Sequence, residues 1–186
     1  AQIALNIAGR GRGVAIWAGE MSAVGIVNRR AAQVARLSTT EIRRSARARG
    51  LDPDEEKKLF AAFDYLESLP IRIIQQKATV EEIAVEFTRM YKEFRSEGIE
   101  PGASFVDHIG LVSRNPRQST TDAIGHITGI LKQHALAQQI PVIALSQLRR
   151  ANVNEQREPI LSDLRSSGDI EQDADTVLFF HRPIDH

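Results

Sequence analysis

Short apolar runs alternate along this chain with longer segments in which apolar residues recur every three or four positions. The short runs are rich in valine, isoleucine and phenylalanine, which is typical of buried strands in a parallel sheet. They predict strands at residues 14–19, 71–74, 103–107, 142–147 and 176–182. The longer segments predict helices at residues 22–36, 39–49, 53–68, 79–97 and 120–138. Strands that alternate with helices indicate an α/β fold, with a mostly parallel sheet flanked by helices.

Several helix boundaries carry their own signals. Ser22 is a suitable N-cap, Asp52 is followed by a proline at the first helical position, and Thr79 opens a capping box. The chain begins differently, with an apolar segment that ends at Gly9 and has no N-cap before it. We therefore expect this helix to begin before Ala1.

Composition narrows the class of protein. The chain is 42% hydrophobic and 26% charged, as in ordinary soluble globular proteins, and its 186 residues suit one domain. No apolar run approaches the roughly 20 residues of a membrane span, and no signal peptide pattern is present. The lack of cysteine and of metal-ligand histidine spacing argues against disulfides and structural zinc. We expect a cytoplasmic protein without membrane contact.

The net charge of zero conceals an asymmetry. Residues 1–50 carry nine arginines and two acids, whereas residues 51–100 carry seven basic and twelve acidic groups. A basic half can meet nucleic acid, although arginine-rich helix faces are more often simply solvated. Charge thus permits a polyanionic partner without establishing one.

Polar side chains follow three predicted strands at their carboxyl ends: Glu20, Asp107 and the pair Ser146–Gln147. Ligands of open α/β sheets bind in the crevice at this edge. Carboxylates there can hold hydrated Mg²⁺ or polarise a water, and a glutamine amide can contact a terminal phosphate. The set fits nucleotide hydrolysis. Structural explanations stay open, with Asp107 as a cap of the following loop and Gln147 as a satisfied strand-end amide.

The segments around these residues sharpen the hypothesis. GEMS follows the first strand, IPVIALSQL contains the fourth, and LSDLRSSGDIEQDADTVLFFHR stands near the end. Together they resemble the ATPase domain of DnaB-type replicative DNA helicases, a RecA-like family, over residues 5–182. The resemblance implies a RecA-like fold, ATP and Mg²⁺ as cofactors, and a homo-hexameric ring that moves along single-stranded DNA and unwinds duplexes. It also implies primase and a helicase loader as partners.

The resemblance assigns roles to matching positions. Glu20 matches the catalytic glutamate that activates the attacking water, and Asp107 matches the Walker B aspartate that holds Mg²⁺ through water. Arg29 matches an arginine of the nucleotide site, and Gln147 matches a glutamine that links the γ-phosphate to the DNA-binding loops. Arg182 lies near the expected position of the nucleotide base.

Two further positions match the family's contacts to the single-strand backbone, namely Arg165 and Gly168. The polar loop 149–159 is expected to line the same channel and to be mobile until it meets a partner. Structural alternatives again stay open. Arg29 can pair with an acid on its helix face, and Arg165 can hold the acidic segment 169–175 together.

The sequence also departs from the family. It lacks the phosphate-binding loop G-x-x-x-x-G-K-[ST], which would end directly before Ala1, and the arginine finger, which would follow the last residues. We therefore expect a single domain truncated at both ends, which alone neither binds ATP tightly nor hydrolyses it. Within the matched segments, DHIGL replaces D-Y-L-Q-L at 107–111 and RSSG replaces R-E-S-G at 165–168. Gln75 and Gln76 replace two aspartates.

Other functions compete with this hypothesis. Another RecA-like DNA-handling ATPase would share Glu20, Asp107 and Gln147 but should not carry the IEQDAD segment. A non-catalytic RecA-like interaction domain would keep the fold and lack the phosphate loop. A receiver-like phosphoacceptor that uses Asp107 would need an acid pair at the first strand and a late lysine, for which the chain offers no support.

Overall fold

A parallel sheet forms the centre of the molecule. In a computed structural model of the chain, residues 2–40, 42, 50–148, 157–164 and 167–181 are described. The strands are β1 (Gly13–Ala18), β2 (Ile71–Ile74), β3 (Pro101–Asp107) and β4 (Val142–Ala144). In the described residues they lie in the order β2-β1-β3-β4, and all neighbouring strands are parallel. The predicted α/β class with a parallel sheet is confirmed.

Helices flank the sheet. Their bounds are α1 (Gln2–Ala8), α2 (Ala23–Val34), α3 (Pro53–Ser68), α4 (Val80–Ser96), α5 (Thr120–Gln138) and α6 (Ser167–Asp173). Among the described residues, 3-10 turns lie at Ile109–Leu111 and Leu161–Asp163. The predicted helix at 39–49 falls largely outside the described residues.

The core forms on both faces of the sheet, so all six residues of β1 are buried. On one face, Trp17 and Val106 pack against α4 and α5, whose buried side chains form one large cluster. On the other face, Val14 and Phe105 pack with Ala4 of α1 in a smaller cluster. An apolar stripe at helical spacing was expected to be core and is confirmed as buried: Ile83, Phe87, Met90 and Phe94.

The predicted helix caps form as local chemistry requires. Ser22 accepts a hydrogen bond from the Gly25 N–H at 3.0 Å, and Asp52 accepts one from the Asp54 N–H at 2.9 Å. Both hydroxyl and carboxylate oxygens thereby satisfy N–H groups that have no partner within the helix. Thr79 forms the predicted capping box at the start of α4.

The strand predicted at 142–147 forms but is shorter and less buried than expected, whereas the strand predicted at 176–182 does not form over its described residues. β4 spans three half-exposed or exposed residues, because it lies at the edge of the described sheet. Residues 176–181 form no strand, although their exposure alternates: Val177 and Phe179 pack against the core, while Leu178 and Phe180 are 71% and 90% exposed. Alternating exposure shows only that the segment has a buried face and an exposed face, whereas a strand also needs a hydrogen-bonded neighbouring strand.

Within the described part of the chain, no helix is both long enough and apolar enough to cross a membrane.

Candidate functional site at the carboxyl edge of the sheet

The parallel register brings three strand ends to one edge. Ala18 pairs with Asp107 across β1 and β3, and Val106 pairs with Ala144 across β3 and β4. The Gly19 N–H donates to the carbonyl oxygen of Asp107 at 2.8 Å, which ties the loop after β1 to the end of β3. The residues that follow these ends are therefore held close together.

A cleft of about 380 Å³ lies at this edge. Three of the side chains predicted from strand ends line it, namely Glu20, Ser146 and Gln147. The remaining lining comes from His108, Ile109, Gly110, Leu111 and Ile124. Asp107 is half-buried and is not among the lining residues, although His108, the next residue, is. Glu20 and the Gln147 amide thus share one cleft, while Asp107 lies at the end of the strand beside it.

Gly19, between β1 and Glu20, packs closely against the side chains of Trp17 and Leu111. A Cβ atom on Gly19 would lie 2.6 Å from Cη2 of Trp17 and 3.0 Å from Cβ of Leu111. The indole cannot yield easily, since Trp17 is 1% exposed and its Nε1–H donates to the Gln76 carbonyl at 3.1 Å. Only a residue without a side chain fits here.

The glutamines that replace the two aspartates act on this same loop. The Gln75 side-chain oxygen accepts from the Ala23 N–H at 2.9 Å, at the first residue of α2. The Gln76 carbonyl holds the Trp17 indole. Both contacts fix the path of the chain on either side of Glu20.

His108 was not predicted as a site residue, yet it lines the cleft. Its Nδ1 accepts from the Gly110 N–H at 3.2 Å, and its Nε2 lies 3.3 Å from Nε2 of Gln147. The available signal was its position directly after a strand-end carboxylate, in place of the family's tyrosine. That signal does not reveal the contact to Gln147, because the contact depends on how β3 and β4 pair.

Arg29 lies on α2, is exposed, and is not among the residues that line the cleft. Among the described residues it forms no ion pair, so the alternative of an acid partner on its helix face finds no support there. Its neighbour Arg30 is half-buried, and burial, together with the charge of Arg29, lowers the pKa of Arg30.

The segment after Gln147 contacts the segment that precedes Arg165. Leu148 forms an isolated antiparallel bridge with Leu164. The bridge thus lies next to a residue of each predicted site in the sequence: Gln147 of the nucleotide site precedes Leu148, and Arg165 of the DNA site follows Leu164. Arg165, Arg182 and most of the predicted loop, 149–156, lie outside the described residues.

An ion pair joins Arg157, in the loop predicted to be mobile, to the 3-10 turn that follows it. The two terminal nitrogens of Arg157 donate to the two carboxylate oxygens of Asp163 at 2.7 and 2.9 Å. Asp163, which is 4% exposed, also accepts from the Ile160 N–H at 2.9 Å. A bidentate pair thus joins this end of the loop to the 3-10 turn, and the mobility of the loop stays a prediction.

Helix α6 carries Gly168, and α5 contacts one acid of α6 and one acid just after it. Thr128 donates to Asp173 and Lys132 donates to Asp175, each at 2.5 Å. These α5 contacts hold two acids of the segment 169–175 that Arg165 was alternatively expected to hold. Gly168 is exposed, and a Cβ atom on it would meet open space.

The carboxylates suit a hydrated Mg²⁺ better than a fully ligated metal. No three His, Cys, Asp or Glu side chains within the described ranges are grouped closely enough to hold a metal ion. Mg²⁺ is usually bound through one or two carboxylates, waters and substrate phosphates. Asp107, with Glu20 across the Gly19 hydrogen bond, offers that kind of donor set.

The comparisons with known proteins agree with this geometry. Residues 1–185 match the family described as DnaB-like helicase C terminal domain. The chain belongs to this family. The replicative DNA helicase DnaB of Helicobacter pylori strain J99 is 34% identical over 174 residues, which cover 92% of this chain and 34% of that protein. The chain spans about a third of the length of the curated relatives it matches.

Solved structures give the fold. One solved structure, described as an ATPase domain, superposes with a TM-score of 0.80 at 28% identity, covering 92% of this chain and 60% of that one. A DnaB-like replicative helicase, described together with its interactions with primase, superposes with a TM-score of 0.81 at 27% identity. That match covers 92% of this chain and 41% of the helicase. The predicted RecA-like fold is confirmed, as is the relation to nucleotide-using ATPase domains of DnaB-like helicases.

Proposed function

We propose that this DnaB-family chain is the motor part of an ATP-driven replicative DNA helicase. The observation that carries the proposal is the cleft at the carboxyl edge, which Glu20 and Gln147 line next to the end of the strand that carries Asp107. The cleft is open to a ligand, has acids at two strand ends, and lies one residue from a bridge to the predicted DNA segment. A nucleotide-driven DNA motor needs such a cleft, together with the phosphate-binding loop that this sequence does not contain.

Each side chain has a distinct task in hydrolysis. Glu20 is exposed in the cleft and can accept a hydrogen bond from the attacking water, which orients and activates it. Asp107 would hold hydrated Mg²⁺, and the bound ion would neutralise charge on the transferred phosphate. Gln147 can donate its amide protons to the terminal phosphate and so report its presence.

Two arginines complete the proposed nucleotide site. Arg29 is free of ion pairs within the described part of the chain, so its guanidinium can meet a phosphate at a neighbouring surface. We place Arg182 near the nucleotide base, from the match of its segment to the family.

The DNA side of the proposal rests on the segment after α5. Arg165 and Gly168 would contact phosphates of single-stranded DNA, by charge and by close backbone approach. Such contacts carry no base information, so we expect binding that is independent of sequence and weakened by salt. The Leu148–Leu164 bridge gives a direct route by which a change at Gln147 would reach them.

Assembly follows from the same hypothesis. We propose a homo-hexameric ring with nucleotide between neighbouring subunits and single-stranded DNA in the channel. Primase is proposed as a partner because a structural neighbour is described with primase, and a helicase loader is proposed from the family resemblance.

The test uses the full-length protein. We expect it to hydrolyse ATP, with turnover stimulated by single-stranded DNA, and to unwind a forked duplex. Glu20→Gln should abolish turnover while nucleotide binding persists, because the amide keeps the size of the carboxylate and loses its basicity. Glu67→Gln, at an exposed position of α3, is the matched control. Normal turnover in Glu20→Gln would refute the assignment.

A further inference from the structure

His108 connects the strand end that carries Asp107 with the strand end that carries Gln147. Its Nδ1 lies 3.2 Å from the Gly110 backbone nitrogen, and its Nε2 lies 3.3 Å from the Gln147 amide nitrogen. His108 and Gln147 both line the cleft, together with Glu20. His108 has no role in the proposed hydrolysis by Glu20, Asp107 and Gln147.

The hydrogen bond from Gly110 decides where the neutral ring carries its proton. A backbone N–H can only donate, so Nδ1 must be the unprotonated, accepting nitrogen. The proton of the neutral imidazole is then on Nε2, which becomes a donor toward Gln147. The opposite tautomer would set two N–H groups against each other at Gly110 and lose that bond.

A donor at Nε2 also decides the orientation of the Gln147 amide. An amide nitrogen does not accept a hydrogen bond, so the side-chain oxygen of Gln147 must face the ring. The amide NH₂ group is then directed away from His108. Both N–H groups of the amide can then donate hydrogen bonds to a ligand in the cleft that the two residues line.

The backbone holds this arrangement in register. The Ile109 N–H donates to the Leu145 carbonyl at 3.0 Å, and the Leu145 N–H donates to the Val106 carbonyl at 3.0 Å. Ile109 is 3% exposed and anchors the 3-10 turn in the core. The distance between His108 and Gln147 is therefore set by the pairing of β3 and β4, and the ring is fixed further by Gly110.

We infer that His108 is a positioning residue that fixes the Gln147 amide with its NH₂ group toward the terminal phosphate of the nucleotide. The inference rests on the proposed function of Gln147. Without the ring, Gln147 loses the hydrogen bond that holds its amide in this orientation, and its oxygen can then face the phosphate. An amide oxygen beside a phosphate is repelled, so the protein loses part of its discrimination between ATP and ADP.

The experiment uses the full-length protein and two substitutions of similar length. His108→Gln keeps an N–H donor near the position of Nε2, whereas His108→Met fills the space without a donor. The measured quantity is the ratio of the dissociation constants for ADP and for a non-hydrolysable ATP analogue. One hydrogen bond contributes about three- to tenfold in such a ratio. We therefore expect His108→Met to lower the ratio by that factor and His108→Gln to stay within about twofold of the parent.

A double-mutant cycle separates positioning from a general structural role. Gln147→Leu should lower the ratio at least as far as His108→Met, and adding His108→Met to it should change nothing further. An unchanged ratio in His108→Met, equal loss in His108→Gln, or equal weakening of both nucleotides would overturn the inference. A parent protein that hydrolyses no ATP would instead overturn the proposed function, so the two failures are distinguishable.

Discussion

Gly19→Ala tests whether Glu20 is positioned by the tight packing of Gly19 against Trp17 and Leu111. The added Cβ atom would lie 2.6 and 2.9 Å from two outer ring atoms of Trp17 and 3.0 Å from Cβ of Leu111. The indole is fully buried and hydrogen-bonded, so the loop must move instead. Overpacking of this kind costs about 1–3 kcal/mol of unfolding free energy.

The same substitution should damage the site more than the fold. Glu20 is the next residue, and a displacement of about 1 Å in a positioned group can cost on the order of 100-fold in rate. Urea unfolding measures the first effect, and the turnover number for ATP in the full-length protein measures the second. Gly129→Ala is the matched control, because its Cβ would meet only the Asp173 carboxylate at 3.9 Å. It should stabilise α5 by about 0.5–1 kcal/mol.

A double-mutant cycle identifies the clash as the cause. Phenylalanine lacks the outer ring atoms of indole, so Gly19→Ala should cost less in a Trp17→Phe background than in the parent. The reasoning is refuted if Gly19→Ala has the same free energy of unfolding and the same turnover number as the parent. It is also refuted if the changes in unfolding free energy of Gly19→Ala and Trp17→Phe simply add in the double mutant.

Other contacts give three further predictions. Burial lowers the pKa of His134, so the native state disfavours its protonation. The contribution of neutral His134 to the free energy of unfolding should be complete above pH 6.5 and should be lost as the pH falls through the lowered native pKa. His134→Phe keeps a ring against Tyr91 and should flatten this pH dependence in urea unfolding. Ser22→Ala removes the cap of α2 and should cost about 1 kcal/mol, whereas Ser22→Asn should restore most of it. Arg165→Ala should reduce the slope of log affinity for single-stranded DNA against log salt by about 0.7, while Arg10→Ala, at the opposite edge of the sheet, should leave it unchanged.

The elements of the fold were predictable because their signals are local. Helix α4 is indicated by Thr79 at its start and by an apolar stripe at helical spacing, and it forms as predicted. The convergence of Glu20 and Gln147 was also predictable, since carboxyl ends of parallel strands share an edge.

What sequence could not predict depends on contacts between distant segments. The alternation at 176–181 resembles a strand, but whether a strand forms is decided by a partner, and no described strand pairs with it. The pairing of Arg157 with Asp163 needs the loop to close on itself. The contact between His108 and Gln147 needs the register of β3 against β4.

The central claim is that Asp107 and Glu20 mark a nucleotide site at the carboxyl edge of the sheet. The most direct measurement is nucleotide affinity of the full-length protein with and without Mg²⁺, compared between the parent and Asp107→Asn. We expect Mg²⁺ to strengthen binding in the parent and to have little effect in Asp107→Asn, because the neutral amide holds the hydrated ion poorly. An equal Mg²⁺ dependence in both proteins would contradict the claim.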